Sequence, residues 1–237
     1  MTEWSAKVGW IVPSWNTVIE YDVARSMPST MSNHFARISH QEDSEAAFDQ
    51  MAREAPHTLD LLMHAELDAV CYACTAGSFV HGYEADRAFR EELTGRAGRP
   101  VLSMASTLVD AAQALGVSRV SVAAPYEEWL VDRLAGYLES AGITVSGTAW
   151  LGQQANVAHG PETARDLAVQ AYRPDAEAVI VSCGNFRTLE VIESTEAELG
   201  VPIISSNQAA IWSMARTVAP TDAFTGTGRL WDAPTAG

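Results

Sequence analysis

The sequence predicts an α/β fold made of two similar units with parallel sheets. Three observations predict it. Short apolar runs alternate with longer amphipathic stretches. The runs are apolar almost throughout, with no period-two break. The same short patterns also recur, in the same order, in the two halves of the chain.

The apolar runs are residues 8–12, 69–73, 120–124, 178–181 and 202–204. Runs of this kind, bounded by turn residues, fit strands buried on both faces. Residues 44–64 read as a helix, because Ala47, Met51, Leu59, Leu62 and Met63 fall near helical spacing. Residues 127–141 and 162–172 read likewise. Strand and helix alternating along a chain argue for parallel sheets with crossover helices.

The recurrence is specific. Lys7-Val8 leads to Pro13, as Arg119-Val120 leads to Pro125. Asp68-Ala69-Val70 leads to Cys74, as Glu177-Ala178-Val179 leads to Cys183. Arg99-Pro100-Val101-Leu102-Ser103 is similar to Val201-Pro202-Ile203-Ile204-Ser205. The offsets are 112, 109 and 102 residues. One match is chance, whereas three in register mark two related units of roughly 100 residues. Residues 1–112 with 213–237 are expected to form the first lobe, and 113–212 the second. A pseudo-twofold axis would relate them, with the active site in the cleft between.

Composition limits what the chain can do. It has 237 residues, 47% apolar and 19% charged, which is ordinary for a globular protein. No apolar run approaches the roughly 18 residues of a membrane span. The first residues are polar and acidic, unlike a secretion signal, so the expected location is cytoplasmic. Thirty acidic residues against fifteen basic give a net charge of −15, which disfavours nucleic acid and anionic membrane as partners. Fourteen of the fifteen basic residues are arginine. Lys7, the single lysine, lies where a first strand begins, a poor place for a pyridoxal Schiff base. Neither a phosphate-binding Gly-Lys-Ser/Thr triplet nor a Gly-x-Gly-x-x-Gly run occurs.

Cys71, Cys74 and Cys183 are too few and too odd in number for a disulfide framework. Cys71 lies inside an apolar run and reads as a small buried hydrophobe. No second ligand pair is spaced to make a zinc site with Cys71 and Cys74, and no metal is expected. Cys74 and Cys183 each fall just past the carboxyl end of a buried strand, where ligands bind in open parallel sheets. Small and polar residues follow each: Thr75-Ala76-Gly77-Ser78 and Gly184-Asn185. They let backbone N–H groups turn toward the cleft as at a helix start, which favours anions and lowers a neighbouring thiol pKa.

These segments resemble the maleate cis-trans isomerases and arylmalonate decarboxylases, within the aspartate/glutamate racemase superfamily. Val12-Pro13-Ser14-Trp15-Asn16-Thr17 is similar to an opening motif of the isomerases. Ala73-Cys74-Thr75-Ala76-Gly77-Ser78-Phe79 and Ser182-Cys183-Gly184-Asn185-Phe186-Arg187-Thr188 resemble the two cysteine motifs. Ala124-Pro125-Tyr126 and Ser206-Asn207-Gln208-Ala209 with Trp212 complete the likeness, which runs over residues 7–217.

The resemblance implies two facing Rossmann-like lobes, each with a parallel four-stranded sheet, and a cofactor-free enzyme acting on a small dicarboxylate as a homo-oligomer. Its first cysteine, here Cys74, attacks an alkene carbon as thiolate. Its second, here Cys183, protonates the neighbouring carbon. Pro13, Asn16, Tyr126 and Asn156 would line or hold the substrate, with Thr75, Ala76 and Gly184 supplying backbone donors. Such chemistry asks for a depressed Cys74 pKa and a neutral Cys183 thiol. Trp15 replaces a small residue and either reshapes the carboxylate pocket or packs beneath it. Cys183-Gly184 is the decarboxylase-like form of the second motif, whereas Cys74 is absent from decarboxylases. The leading expectation is cis-trans isomerisation of maleate or a related unsaturated dicarboxylate. Racemisation or malonate decarboxylation is the alternative, and non-catalytic dicarboxylate binding the third reading.

The remaining candidates carry weaker signals. His57 and His64 belong on a helix surface, while His34, His40 and His159 show no ligand spacing. His81, seven residues past Cys74, and Arg187, four past Cys183, are secondary candidates, with a surface position the commoner outcome for each. Trp129 and Trp212 read as helix packing residues. The tail from Pro220, rich in Thr, Gly and Ala, is expected to be partly disordered.

Overall fold

The structure, a computed structural model, describes residues 4–154, 159–219 and 224–233. The first sheet contains β1 (Ala6–Pro13), β2 (Met31–Ile38), β3 (Ala69–Tyr72) and β4 (Val101–Ser103), in the order β2-β1-β3-β4. The second contains β5 (Arg119–Ala124), β6 (Thr144–Trp150), β7 (Ala178–Val181) and β8 (Ile203–Ser205), in the order β6-β5-β7-β8. Every pairing is parallel. The sheets thus repeat one topology, as the sequence recurrences predict.

Parallel strands need crossover connections, and helices supply most of them. Those of the first half are α1 (Ile19–Ser26), α2 (Glu45–Met63), α3 (Thr75–Phe79), α4 (Tyr83–Ala97) and α5 (Met104–Ala114). Those of the second are α6 (Glu128–Ser140), α7 (Pro161–Ala171), α8 (Ile192–Leu199) and α9 (Ser206–Val218). The helices expected over 44–64, 127–141 and 162–172 are α2, α6 and α7. Ser44 caps α2 by accepting the Ala47 N–H at 3.2 Å, which fixes where that helix starts.

The central strands β3 and β7 and the outer strands β2 and β6 differ most in burial. β3 and β7 are buried at every position, which is why they read as unbroken apolar runs. β2 and β6 each pair on one side only and are half-exposed along most of their length. Half-exposed edge strands need no continuous apolar run, so periodicity does not reveal β2 and β6.

Helices α5 and α9 lie between the sheets and pack on each other, α5 also reaching β8 and α9 reaching β3. Both begin with the same device. Ser103 and Ser205 each accept the N–H three residues on and are bonded back by that residue's side chain, Ser106 or Gln208, a capping box. From Ser206 to Ala215 every residue of α9 is buried, as expected of a helix covered on all sides. In the tail, residues 224–233 lie on the body: Leu230 is fully buried and Gln208 Nε2 donates to the Thr227 carbonyl at 2.6 Å. Among the described residues no helix is long and apolar enough to cross a membrane.

Candidate active site

The loops that leave β1, β2, β3, β5 and β7 at their carboxyl ends meet around one pocket between the two sheets. It is lined by Pro13, Trp15 and Asn16 after β1, by His40 and Asp43 after β2, and by residues 73–76 after β3. Tyr126 follows β5, and Cys183, Gly184 and Asn185 follow β7. Cys74, Cys183, Pro13, Asn16, Thr75, Ala76, Tyr126 and Gly184 are therefore all brought together. Asn156 lies outside the described residues. The free volume is about 20 Å³, room for about one water. Nothing larger fits without movement of the lining residues.

Cys74 sits as the cap of α3. Its Sγ accepts the Gly77 N–H at 3.3 Å, and the Ala76 N–H also favours charge on the sulfur. Gly77 is needed for this approach: a Cβ there would lie 3.1 Å from Sγ and 3.0 Å from the Tyr72 hydroxyl. Cys183 is held differently. No helix begins at Gly184, contrary to the helix-start geometry expected for both cysteines; the chain instead makes a turn, and the next helical segment begins only at Leu189. Cys183 takes φ 135°, a strained value for a residue with a Cβ. The strain is held by the Cys183 N–H donating to Ser206 Oγ at 3.1 Å and by the Asn185 N–H donating to Cys183 Sγ at 3.4 Å.

The two thiols share one electrostatic environment. Burial pushes both up to about 12, and the Asp43 carboxylate adds to the rise in each. The N–H groups on Cys74 oppose burial but do not overcome it. In this pocket both sulfurs are therefore protonated, and the expected depressed Cys74 pKa is not found. Tyr126 is buried between the thiols: its hydroxyl hydrogen-bonds Cys183 and lies in the field of Cys74. Burial keeps its phenol protonated, so it is a donor.

The remaining polar atoms are positioned by local hydrogen bonds. Asn16 Oδ1 accepts the Val18 and Ile19 N–H groups at 2.9 and 3.0 Å. This turns its amide nitrogen toward Gly184, where a Cβ would meet Asn16 Nδ2 at 3.3 Å. Asn207 Nδ2 donates to the Gly184 carbonyl at 3.2 Å and to Asp22 Oδ2 at 2.6 Å. Trp15 lines the pocket and sets its ring edge-on against His40, centroids 4.2 Å apart, so it shapes the wall rather than packing beneath it.

Sequence reasoning missed His40 and Asp43. Both are buried, and His40 Nε2 lies 3.2 Å from Asp43 Oδ1. They follow β2, the edge strand with no apolar run to announce it, so the strand-end rule had nothing to act on there. The secondary candidates fall elsewhere. His81 pairs with Asp49 at 2.8 Å and Arg187 with Glu190 at 2.7 Å, both half-exposed. His57 and His64 are exposed, and Trp212 is buried in α9. Cys71 is fully buried, with its thiol held protonated. Among the described residues no cluster of three His, Cys, Asp or Glu side chains could hold a metal ion.

Fold and pocket define a two-lobed parallel α/β protein with two cysteines in the cleft between its sheets. The arylmalonate decarboxylase family model matches residues 8–231, and the chain belongs to that family. It is 32% identical to an arylmalonate decarboxylase of Bordetella bronchiseptica over 164 residues, 67% of this chain and 68% of that protein. It is 27% identical to a maleate isomerase of Nocardia farcinica over 237 residues, 94% of each chain. A crystal structure of arylmalonate decarboxylase superposes with TM-score 0.83 at 28% identity, covering 96% of this chain and all of that one. The Nocardia farcinica maleate cis-trans isomerase, in a structure with a covalently bound succinylcysteine intermediate, has the same fold: TM-score 0.88 at 23% identity, over 95% and 98% of the chains. The relatives are enzymes, isomerases or decarboxylases.

Proposed function

We propose that this chain is a cofactor-independent cis-trans isomerase of maleate or a related small unsaturated dicarboxylate. The observation that carries the reading is the presence of both Cys74 and Cys183 in one pocket. In outline, the Cys74 thiolate adds to one alkene carbon, and the π electrons move onto the adjoining carboxylate as an enediolate. Cys183 delivers its proton to the neighbouring carbon. The former double bond rotates. Cys183 then takes the proton back, the double bond re-forms trans, and the Cys74 thiolate leaves. Tyr126, the Asn16 amide and the backbone N–H groups of Thr75, Ala76 and Gly184 are the donors for the carboxylates and the enediolate. Donors fixed in advance in a dry site are worth several kcal/mol to such an intermediate.

Ionising Cys74 is the demanding step. Burial is the largest cause of its raised pKa, so opening the pocket to admit substrate also hydrates the sulfur and eases its ionisation. The Gly77 and Ala76 N–H groups then hold the thiolate charge. Residues 1–112 with 213–237 and residues 113–212 would be the two bodies that part, although α5 and α9 pack against both sheets.

A second reading, decarboxylation of a malonate with Cys183 as the sole proton donor, is favoured by the 32% identity to the Bordetella enzyme. Proton NMR of the purified chain with maleate in D₂O, under reducing conditions and with no cofactor, separates the two. Fumarate that appears with the wild type and not with Cys74→Ala supports the isomerase. Inert maleate together with loss of carbon dioxide from a substituted malonate, surviving Cys74→Ala, supports the decarboxylase.

A further inference from the structure

We propose that His40, oriented by Asp43, is the cationic receptor for a substrate carboxylate and binds it as imidazolium through Nδ1–H. This role rests on the dicarboxylate reading above. Three observations support it. Among the described lining residues there is no arginine or lysine, and His40 is the one side chain able to carry positive charge. Its Nε2 lies 3.2 Å from Asp43 Oδ1, with both side chains at least 98% buried, so one ring nitrogen is engaged by a carboxylate that stabilises the protonated ring. Its Nδ1 is buried and has no hydrogen-bond partner. A buried ring nitrogen without a partner, in the wall of a pocket, asks for one from the ligand.

The surroundings fix the ring and set its charge. Trp15 packs edge-on at 4.2 Å and Phe48 lies at 5.1 Å, so the imidazole has apolar neighbours on its other sides. The titratable groups sharing the pocket are Asp43, Cys74, Cys183 and Tyr126. Both thiols and the phenol are held protonated by burial, which leaves Asp43 to balance a positive His40. Residue His40 is also among those lining a surface hollow with Ser39, Glu42 and Gln50. Once protonated, His40 offsets the Asp43 field that disfavours charge on both cysteines, so substrate binding and thiolate formation reinforce each other.

The test uses succinate, a saturated dicarboxylate that cannot accept a thiolate, with the full chain labelled with ¹⁵N at histidine. Long-range proton–nitrogen NMR at pH 8 reads the protonation of each ring, and His40→Gln identifies the His40 signals. With succinate both nitrogens of the His40 ring should show protonated shifts, and the affinity of His40→Gln should fall about thirtyfold or more. Asp43→Asn, nearly the same shape, keeps the test open if His40→Gln misfolds: its succinate affinity should fall, and an affinity equal to wild type overturns the role. Succinate bound with His40 neutral, or bound equally well by His40→Gln, overturns the role and leaves the dicarboxylate reading standing. Failure of the wild type to bind either succinate or maleate sinks the dicarboxylate reading, and this role with it.

Discussion

Asn185 Oδ1 accepts the Thr17 backbone N–H at 2.9 Å, joining two turns 168 positions apart. One turn carries Cys183 and the other Asn16. The bond therefore fixes the second thiol relative to the Asn16 amide on the other sheet. Asn185→Ala removes the acceptor of the Thr17 N–H, and because Thr17 is exposed that donor turns to water, so the cost is that of one ordinary hydrogen bond, about 0.5–1.5 kcal/mol. Urea unfolding should show a loss of that size, and kcat/KM for maleate should fall about tenfold or more as the two turns lose register. Unchanged stability and turnover would mean that the turns are held apart from this bond.

The two cysteines should separate by partial reaction. Cys74→Ala removes the nucleophile, so no covalent adduct forms and turnover should drop by about a thousandfold or more. Cys183→Ala keeps the nucleophile and loses the proton donor. Intact-protein mass spectrometry after incubation with maleate should then reveal an adduct on Cys74 at low turnover. An adduct on Cys183 in the Cys74→Ala chain would reverse the assigned roles.

Gly77→Ala probes the Cys74 cap directly. The added methyl would lie 3.1 Å from Sγ and 3.0 Å from the Tyr72 hydroxyl. Either the sulfur or the α3 N–H groups must shift. Maleate turnover should fall well beyond any change in melting temperature, whereas equal losses in both would mark Gly77 as a packing residue alone.

Much of this was legible in sequence, and the reasons it stopped are physical. β1, β3, β5, β7 and β8 show as apolar runs because their neighbours bury them. Cys74 and Cys183 follow such runs, so the strand-end rule found them, whereas Tyr126 was found through the likeness to the family. β2 and β6 are edges with half-exposed side chains, and His40 and Asp43 went unseen with β2. The left-handed backbone of Cys183 has no composition signal, since it depends on Ser206 from a helix 23 positions away. The thiol pKa values were misjudged for a related reason. Local N–H donors are visible in a motif, whereas burial is set by both sheets together.

The raised thiol pKa values give two pH signatures. At pH 7 both pocket cysteines are protonated, so iodoacetamide should modify the ligand-free enzyme slowly, at a rate rising about tenfold per pH unit from 7 to 9. For stability, each folded thiol titrates near 12, above its ordinary value of 9.0. Their stabilising effect is complete below about pH 9 and is lost as pH rises through the folded value. Urea midpoints should decline above pH 9, and less steeply in Cys183→Ala. A rapid alkylation plateau near pH 7 in the free enzyme would contradict this environment.

Asp22 is a stability liability that serves the site. Burial raises its carboxyl from 3.8 to about 6, although Asn207 donates to it at 2.6 Å. Below about pH 4 it is protonated in both folded and unfolded chains and costs nothing. Between about pH 4 and 6 the unfolded chain ionises first, so the folded state loses stability as pH rises, by about 3 kcal/mol once both are ionised. Asp22→Asn removes that penalty. Its unfolding free energy at pH 7 should exceed wild type by about 1–3 kcal/mol, with the difference vanishing near pH 4. The same substitution weakens the grip on Asn207, whose amide also donates to the Gly184 carbonyl at 3.2 Å. A more stable chain with poorer maleate turnover is the expected pair of results. Equal gain at pH 4 and 7 would show that the benefit is packing rather than charge.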